Sequence, residues 1–409
     1  MKILFLLPQL PYPPRKGAAF RNYYFIRWLA REHRVFLLAF AERAEVPAHL
    51  RDLCAGIRVV PPPVRRLADR LHGLYRSSLP DLALRLGSPA YDEALRAWLA
   101  EERFDVVQVE CLEMAAHWLA VSAALPQADR PLVVFDDHNA EYLLQWRACR
   151  TDIAVPRRWP AAAYSLVQAV RLRRYEGDVC ALADRVIAVS EEDAAALRAL
   201  RPALQPLVIP NGVDCEYFAY DPPGGPAPRP PQIVFAGTMD FRPNVDAVAW
   251  FAHAVLPRVR QRIPEARFVV VGARPAPAVQ RLAAQPGVVV TGAVEDVRPY
   301  LAQSRVYVVP MRMGGGVRLK ALEAMAVGLP VVSTGLGCAG IAVQPGVHYL
   351  RAEDPSTFAE RVSAVLSGEA DCRAMVDEAR ALMTARYDWG RLCPALAAAY
   401  VPRAAAGRQ

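Results

Sequence analysis

Short apolar runs with the composition of buried β-strands alternate with helical stretches along most of this chain. Runs that are apolar almost throughout are typical of parallel strands covered on both faces. In the first half of the chain these runs are KILFLL, RVFLLAF, VVQVE, PLVVFD and RVIAVS, and helical stretches include residues 20–32 and 161–182. Alternation of this kind predicts doubly wound α/β layers around a parallel sheet.

A segment rich in proline and glycine divides the pattern into two series. Residues 208–232, VIPNGVDCEYFAYDPPGGPAPRPPQ, cannot hold a long helix or a central strand. The second series of strands is QIVFAGTM, RFVVVGA, VVVTGAV, RVYVVP and LPVVST, with helices predicted over about 244–261 and 316–327.

The length of 409 residues also exceeds what one ordinary core needs, so we expect two domains. We place the first domain at 1–205, a linker at 206–232, the second domain at 233–385 and a helical tail at 386–409. The tail could pack on either domain. Ligands of such sheets bind at the carboxyl edges of the strands, and we expect two facing edges to form an interdomain cleft.

Charge and hydropathy restrict the class of partner. The net charge of +8 fits either an arginine-rich solvated surface or anionic partners, such as nucleotide phosphates, lipid phosphates or a membrane face. No basic motif interleaved with aromatic residues points to nucleic acid. No apolar stretch of about 18 residues predicts a transmembrane helix, and the short run at Ile3 to Leu7 is better explained as a buried strand than as a secretory signal.

The eight cysteines are scattered and never form a CxxC pair. That spacing fits neither a zinc site nor a disulfide framework. Free thiols in a reducing cytoplasm are therefore expected.

A glycine turn before a helix is the most informative motif. Residues 313–326 read MGGGVRLKALEAMA, and the glycines, among them Gly315 and Gly316, come just after the strand RVYVVP. Backbone N–H groups in such a turn can approach an anionic ligand closely, and a helix N-terminus favours negative charge. Arg318 and Lys320 place two cations where the helix dipole disfavours them, and an anionic ligand would offset that cost.

Glu323 lies one helical turn after Lys320, on the same face. Its carboxylate could accept hydrogen bonds from ribose hydroxyls while the turn holds phosphates. A surface Lys–Glu pair on a glycine-capped helix explains the same residues equally well. The residues of this stretch alone do not decide between the two.

Seven segments, in the expected order, resemble the family 4 retaining glycosyltransferases, whose fold is GT-B. They are the opening strand–Pro–Gly segment, DDHNAEY with His138, RVIAVSEED (185–193), VIPNGVD (208–214), IVFAGTM (233–239), VVVTGAVEDV (288–297) and LEAMAVGLPVVST (322–334). The resemblance implies a GT-B fold of two Rossmann-like domains and transfer with retention of anomeric configuration.

The resemblance also implies roles for individual residues. It assigns Glu323 to the ribose hydroxyls, the backbone around Val294 to the base edge, and the loops at Gly17 and Gly237 to the pyrophosphate and sugar. His138 falls where the family keeps a histidine near the transferred sugar or the acceptor. With no DxD element, neither a metal nor a cofactor is expected.

Two departures from the family pattern concern charge. Gly315 stands where many members have the first of two glutamates, and Thr238 and Pro243 stand where many have Arg and Lys. We therefore expect Arg318 and Lys320 to replace the missing phosphate cations, with Arg242 and Asn244 as further donor-binding residues. This variant pattern resembles a subgroup associated with exopolysaccharide assembly.

Two basic segments have open interpretations. Pro14 to Ala18, around Gly17, is either a phosphate-binding loop or a basic surface turn. Residues 65–76, RRLADRLHGLYR, combine four arginines with leucines at helical spacing. They form either a helix that meets anionic lipid head groups or a solvated helix packed on the domain.

The sequence thus predicts a cytoplasmic glycosyltransferase that moves a sugar from a UDP- or GDP-sugar onto a glycan or lipid-linked acceptor, with peripheral membrane contact left open. Two alternatives remain. One is a GT-B sugar-nucleotide epimerase, which would need no acceptor. The other is a non-catalytic nucleotide-sugar-binding subunit of a polysaccharide assembly complex, favoured by Gly315 in place of a glutamate.

Overall fold

The computed structural model describes residues 1–14, 17–127, 130–219, 230–314 and 319–401. The chain forms two compact units. The first comprises Met1–Pro210 together with Cys393–Gln409, and the second comprises Asn211–Leu392.

The first unit is built on a seven-stranded parallel sheet. Its strands are β1 (Lys2–Leu7), β2 (Arg34–Phe40), β3 (Gly56–Val60), β4 (Val106–Glu110), β5 (Leu132–Asp137), β6 (Arg185–Ala188) and β7 (Leu207–Val208). Their spatial order is β3-β2-β1-β4-β5-β6-β7, and every neighbouring pair is parallel. Ile3 to Leu7 in β1 are fully buried, as expected of a central strand covered on both faces.

Helices cover this sheet. They are α1 (Gly17–Leu29), α2 (Ala48–Leu53), α3 (Leu67–Arg76), α4 (Asp81–Leu84), α5 (Pro89–Glu101), α6 (Cys111–Ser122), α7 (Glu141–Ile153), α8 (Trp159–Leu182) and α9 (Glu191–Leu200). The helices predicted over 20–32 and 161–182 are observed as α1 and α8, with small shifts at their ends.

The second unit has a six-stranded parallel sheet. Its strands are β8 (Gln232–Ala236), β9 (Arg267–Val271), β10 (Val288–Gly292), β11 (Val306–Val309), β12 (Val331–Ser333) and β13 (Leu350–Arg351). Their spatial order is β10-β9-β8-β11-β12-β13. The helices are α10 (Cys215–Phe218), α11 (Arg242–Trp250), α12 (Leu256–Arg262), α13 (Pro277–Leu282), α14 (Arg298–Ala302), α15 (Leu319–Val327), α16 (Pro355–Ser367), α17 (Arg373–Leu382) and α18 (Trp389–Leu392).

The helix predicted over 244–261 contains a π-helical turn at Phe251–Val255, between α11 and α12. Pro257, at the start of α12, has no N–H to donate to the preceding turn. A wider turn at this point is a usual response of a helix to such an interruption.

The two units confirm the predicted doubly wound α/β architecture. The chain passes between them at Pro210–Asn211 and again at Leu392–Cys393. The segment 206–232 is therefore divided: β7 belongs to the first sheet, residues 211–219 belong to the second unit, and residues 220–229 lie outside the described part.

The tail is divided as well, since Cys393 and the residues after it belong to the first unit. There α19 (Leu396–Ala399) is followed by the buried Tyr400. In the described part of the chain, no helix is both long enough and apolar enough to cross a bilayer.

Candidate functional site

A lysine and an asparagine form a pair beside the carboxyl end of β8 in the second unit. Lys320, in the first turn of α15, donates from Nζ to Asn244 Oδ1 at 2.5 Å. Its Nζ also lies 4.2 Å from the centre of the Phe235 ring. Asn244 Nδ2 donates to the carbonyl of Thr238 at 2.8 Å. These contacts hold the ammonium group in place at the end of the strand.

Gly237 lies against the same pair. Its φ is +156°, and a Cβ added there would stand 2.9 Å from Asn244 Nδ2 and 3.2 Å from Lys320 Nζ. A side chain at this position would displace the pair, so the glycine allows the backbone to approach both polar groups. The structure thus brings together Gly237, Asn244 and Lys320, three residues that the sequence placed in the donor site.

Glu323 lies one turn further along α15 and is half-buried. Burial raises the pKa of its carboxyl to about 6, and the nearby charge of Lys320 opposes this shift only in part. The carboxyl group therefore changes its charge state at a pH of about 6. Its charge also contributes, after burial and Asp296, to the raised pKa of Tyr217, which places α10 near this part of α15.

Asp296 and Arg298, which follow β10 along the chain, form a polar group with Tyr217 of α10. Asp296 accepts from Arg298 Nη2 at 2.7 Å and from the Arg298 backbone N–H at 2.9 Å. The Arg298 guanidinium stacks over the ring of Tyr217, 4.0 Å from its centre. Val294, expected at the base edge, lies between β10 and this group and is half-buried against the core. The loop that carries Val294 is thus clamped at one end by an ion pair.

In the first unit, a buried ion pair joins α1 to β5. Arg21 donates to both oxygens of Asp136, from Nε at 2.7 Å and from Nη2 at 2.9 Å. Its Nη1 donates to the carbonyl of Ile209 at 2.8 Å. Both side chains of the ion pair are almost fully buried. A guanidinium with this many partners offsets part of the cost of burying a charge.

His138 lies beside this pair, one residue after the end of β5. Its Nε2 is 2.8 Å from Glu110 Oε2 and 3.9 Å from Asp136 Oδ2. Burial acts to lower the pKa of His138, but the hydrogen bond to Glu110 and the charges of Asp136 and Glu110 outweigh it, so the pKa lies above its usual value. The raised pKa shifts His138 toward the protonated imidazole, with Glu110 as its hydrogen-bond partner.

A chain of hydrogen bonds continues behind Glu110. Gln108 Nε2 donates to Glu110 Oε1 at 2.8 Å, and the hydroxyl of Tyr400 donates to Gln108 Oε1. The amide of Asn22, in the orientation that satisfies both of its polar atoms, donates to Glu110 Oε2 at 2.8 Å. Glu110 is thus held from α1, from its own strand and, through Gln108, from the tail.

The loop after His138 is held by Glu176 of α8. The Glu176 carboxylate accepts the backbone N–H groups of Glu141 at 2.9 Å and Tyr142 at 3.1 Å, which caps the N-terminus of α7. Burial raises the pKa of Glu176 and of Glu141 to about 7 each. This cap positions the segment between β5 and α7 that contains His138.

Two protein families match this chain, one mainly over the first unit and one over the second. Residues 15–217 match the family described as "Glycosyltransferase Family 4", and residues 230–368 match "Glycosyl transferases group 1". A sucrose-phosphate synthase from Thermosynechococcus elongatus has a similar structure, with a TM-score of 0.72 and 17% identity over 98% of each chain. The chain is a glycosyltransferase-family protein with the GT-B fold.

Two further relatives of this glycosyltransferase-family protein are informative. The Anabaena protein HepE, in complex with UDP and glucose, has a TM-score of 0.64 at 17% identity, over 97% of this chain and 98% of HepE. A phosphatidyl-myo-inositol mannosyltransferase from Propionibacterium freudenreichii is 30% identical over 229 residues. That match spans 53% of this chain and 56% of the relative, little more than half of each.

The other expected site residues of this glycosyltransferase-family protein are on other elements or outside the described residues. Gly17 is the first residue of α1, one turn before Arg21. Arg242 is exposed at the first residue of α11. Gly315, Gly316 and Arg318 lie outside the described residues, so their roles stay predictions.

A metal was not expected, yet the described residues of the first unit contain one group with suitable ligand atoms. Glu110, Asp136 and His138 offer atoms that all lie within 4.8 Å of one another. Arg21 occupies both oxygens of Asp136, and Gln108 and His138 bind the oxygens of Glu110. Because a guanidinium already supplies the positive charge, the absence of a metal requirement stays our prediction.

Sequence reasoning missed Arg21, Gln108, Glu110, Tyr217 and Tyr400. One signal was available: Gln108 and Glu110 are two residues apart in VVQVE, so they share one face of a buried strand. Polar residues there need partners. Arg21 and Tyr400 gave no such signal, because their partners are 115 and 292 residues away in the sequence.

Proposed function

We propose that this protein transfers a sugar from a nucleotide-sugar to a glycan or lipid-linked acceptor, and that the group formed by Gly237, Asn244 and Lys320 binds the donor diphosphate. The observation that supports this best is the ammonium group of Lys320, held by Asn244 at the carboxyl edge of a parallel sheet. Ligands of doubly wound sheets bind at that edge. HepE, which has the same fold, was crystallised with UDP and glucose.

In this proposal each residue has a chemical task. Negative charge develops on the leaving diphosphate as the glycosidic bond breaks, and Lys320 stabilises it, together with Arg318 and the amides of Gly315 and Gly316. Glu323 accepts hydrogen bonds from the ribose hydroxyls, and the backbone at Val294 contacts the base.

A protonated His138 would donate a hydrogen bond to the transferred sugar or to the acceptor, and the loop at Gly17 would contact the pyrophosphate or the sugar. Retention of configuration, a hexose as the transferred unit, a role in exopolysaccharide synthesis and a cytoplasmic location belong to the same proposal. Retention and the exopolysaccharide role derive from the resemblance to family 4 enzymes, and the location derives from the scattered cysteines.

The reaction is tested by incubating the full-length protein with UDP- and GDP-sugars, with and without a lipid-linked or glycan acceptor. We expect release of nucleoside diphosphate only when an acceptor is present. An altered nucleotide-sugar formed without acceptor would indicate an epimerase instead. Binding without turnover on any acceptor would indicate a non-catalytic subunit.

Replacing Lys320 tests the proposed diphosphate site. Lys320→Met keeps an apolar stem but removes the charge, and we expect nucleoside diphosphate to bind about 10- to 100-fold more weakly, as loss of a charge-assisted hydrogen bond requires. Binding of the free nucleoside, which has no phosphate, should be unchanged. Isothermal titration calorimetry measures both affinities.

The matched control is Arg262→Ala, which removes an exposed cation at the far end of α12. This variant should bind nucleoside diphosphate like the unchanged protein. Equal affinities for the Lys320→Met and Arg262→Ala variants would remove Lys320 from the proposed site.

A further inference from the structure

Seven large apolar side chains of the first unit are exposed within residues 146–170 of the α7–α8 hairpin. Each is between 40% and 62% accessible, although residues of this type are usually buried. They are Trp146, Ile153, Val155, Trp159, Leu166, Val167 and Val170. We call this set the hairpin surface.

On α8 the exposed residues follow helical geometry. Trp159, Leu166 and Val170 are separated by seven and four residues, so they lie within about 20° of one line along the helix. The stripe is about 16 Å long at the usual rise per residue. Ser165 and Leu172, on the other side of α8, are buried. The helix therefore packs with one side and leaves a second apolar side uncovered.

Positive charge surrounds the apolar stripe. Residues 146–174 contain seven arginines and one acidic residue, Asp152, which is paired with Arg158 at 3.1 Å. Arg150, Arg157 and Arg174 are exposed. A partner for this surface must therefore accept both apolar side chains and several cations.

Helix α3 lies beside the same surface. Arg171 of α8 donates to the carbonyl of Leu74 at 2.7 Å and to that of Leu79 at 3.4 Å, which ties the end of α3 to α8. Tyr75 is 84% exposed. The side chains of Leu67 and Leu71 lie outside the described residues. The basic helix singled out in the sequence thus adjoins the hairpin surface.

We propose that the hairpin surface docks on an anionic lipid bilayer. Exposed tryptophans beside aliphatic residues suit the boundary between head groups and acyl chains, and arginines next to them suit anionic head groups. Two copies of this chain meeting through the surface would bring like charges together, which disfavours self-association. The proposed docking does not depend on the proposed nucleotide site in the second unit.

Vesicle sedimentation with the full-length protein tests the proposal. We expect binding to vesicles of mixed phosphatidylglycerol and phosphatidylcholine, and at least about tenfold weaker binding to phosphatidylcholine alone. The Trp159→Ser/Val170→Ser variant should lose about tenfold or more in affinity for the anionic vesicles, because it removes buried apolar contact. Arg157→Gln/Arg174→Gln should lose a similar factor and, unlike the apolar variant, most of the preference for anionic lipid.

A control is Val289→Ser/Val347→Ser, which removes two exposed apolar residues from the second unit. It should bind vesicles like the unchanged protein. Circular dichroism and thermal midpoints should show that every variant remains folded.

Three results would overturn the proposal. They are equal binding of the unchanged protein to both lipids, an equal loss in the second-unit control, and a dimer in sedimentation equilibrium that the Trp159→Ser/Val170→Ser change dissociates.

Discussion

Glu323 lies in surroundings that favour its neutral form, and burial raises its pKa to about 6. If the carboxylate accepts hydrogen bonds from ribose, protonation removes its charge and weakens binding. Affinity for a nucleotide-sugar should then fall about three- to tenfold as the pH drops from 7 to 5, since a charged acceptor contributes about 1 kcal/mol more than a neutral one.

The measurement is calorimetric titration of a nucleotide-sugar, whose diphosphate does not ionise in this range, across that pH interval. Glu323→Gln should bind more weakly at pH 7 and show little dependence on pH. If the affinity of the unchanged protein for the nucleotide-sugar stays constant through pH 6, the ribose does not bind to Glu323.

His138 depends on Glu110 for its charge. The pKa of His138 is above its usual value because the contacts with Glu110 and Asp136 outweigh burial. Glu110→Gln removes one carboxylate and should lower the pKa of His138 by about 1 unit or more. With a raised folded-state pKa, the contribution of this contact to stability is present at low pH and is lost as the pH rises through that value.

Imidazole resonances in NMR spectra report this pKa, and a His138→Asn spectrum assigns the signal. The control is Glu102→Gln, which removes a carboxylate near the surface that is paired with Lys2. This variant should leave the pKa of His138 unchanged. The same pKa in the Glu110→Gln variant would show that the Glu110 contact does not set the charge of His138.

Among larger elements, the segment VIPNGVD (208–214) contains a glycine whose position is explained by packing. A Cβ at Gly212 would lie 2.6 Å from the carbonyl of Tyr387 and 2.9 Å from the Trp389 ring. The glycine is thus required by close contact with the segment around α18.

Two glycine substitutions test this interpretation. Gly212→Ala should lower the free energy of unfolding by about 1–3 kcal/mol, because the surrounding backbone must move. Gly177→Ala in α8, where the nearest atoms are 3.8 Å away, should be neutral or raise it by up to about 1 kcal/mol. Urea unfolding curves give both values, and equal effects would contradict the steric explanation.

At the scale of the whole molecule, the tail after Leu392 belongs to the first unit, and Leu396, Ala399 and Tyr400 are buried there. Removing residues 393–409 should lower the thermal midpoint of that unit by about 5 °C or more, since a buried Leu and Tyr contribute several kcal/mol together. Differential scanning calorimetry measures the midpoint.

Removing only residues 402–409 is the matched control and should leave the midpoint nearly unchanged. Leu396→Ala provides a milder variant if the longer truncation is not recovered in folded form. Identical midpoints for Leu396→Ala, the two truncations and the intact chain would show that the tail does not stabilise the unit.

The sequence by itself determined the two parallel sheets, because alternation of apolar runs with helices is a local pattern and buried parallel strands are apolar along their whole length. The glycine-turn motif and the family resemblance also pointed to Gly237, Asn244, Lys320 and Glu323, whose roles stay predictions. Only the tertiary structure decided the partners of these side chains. Lys320 meets Asn244 across 76 residues of sequence and Arg21 meets Asp136 across 115, and no local periodicity encodes such contacts. They depend on how helices pack over the sheet, which also left the hairpin surface uncovered.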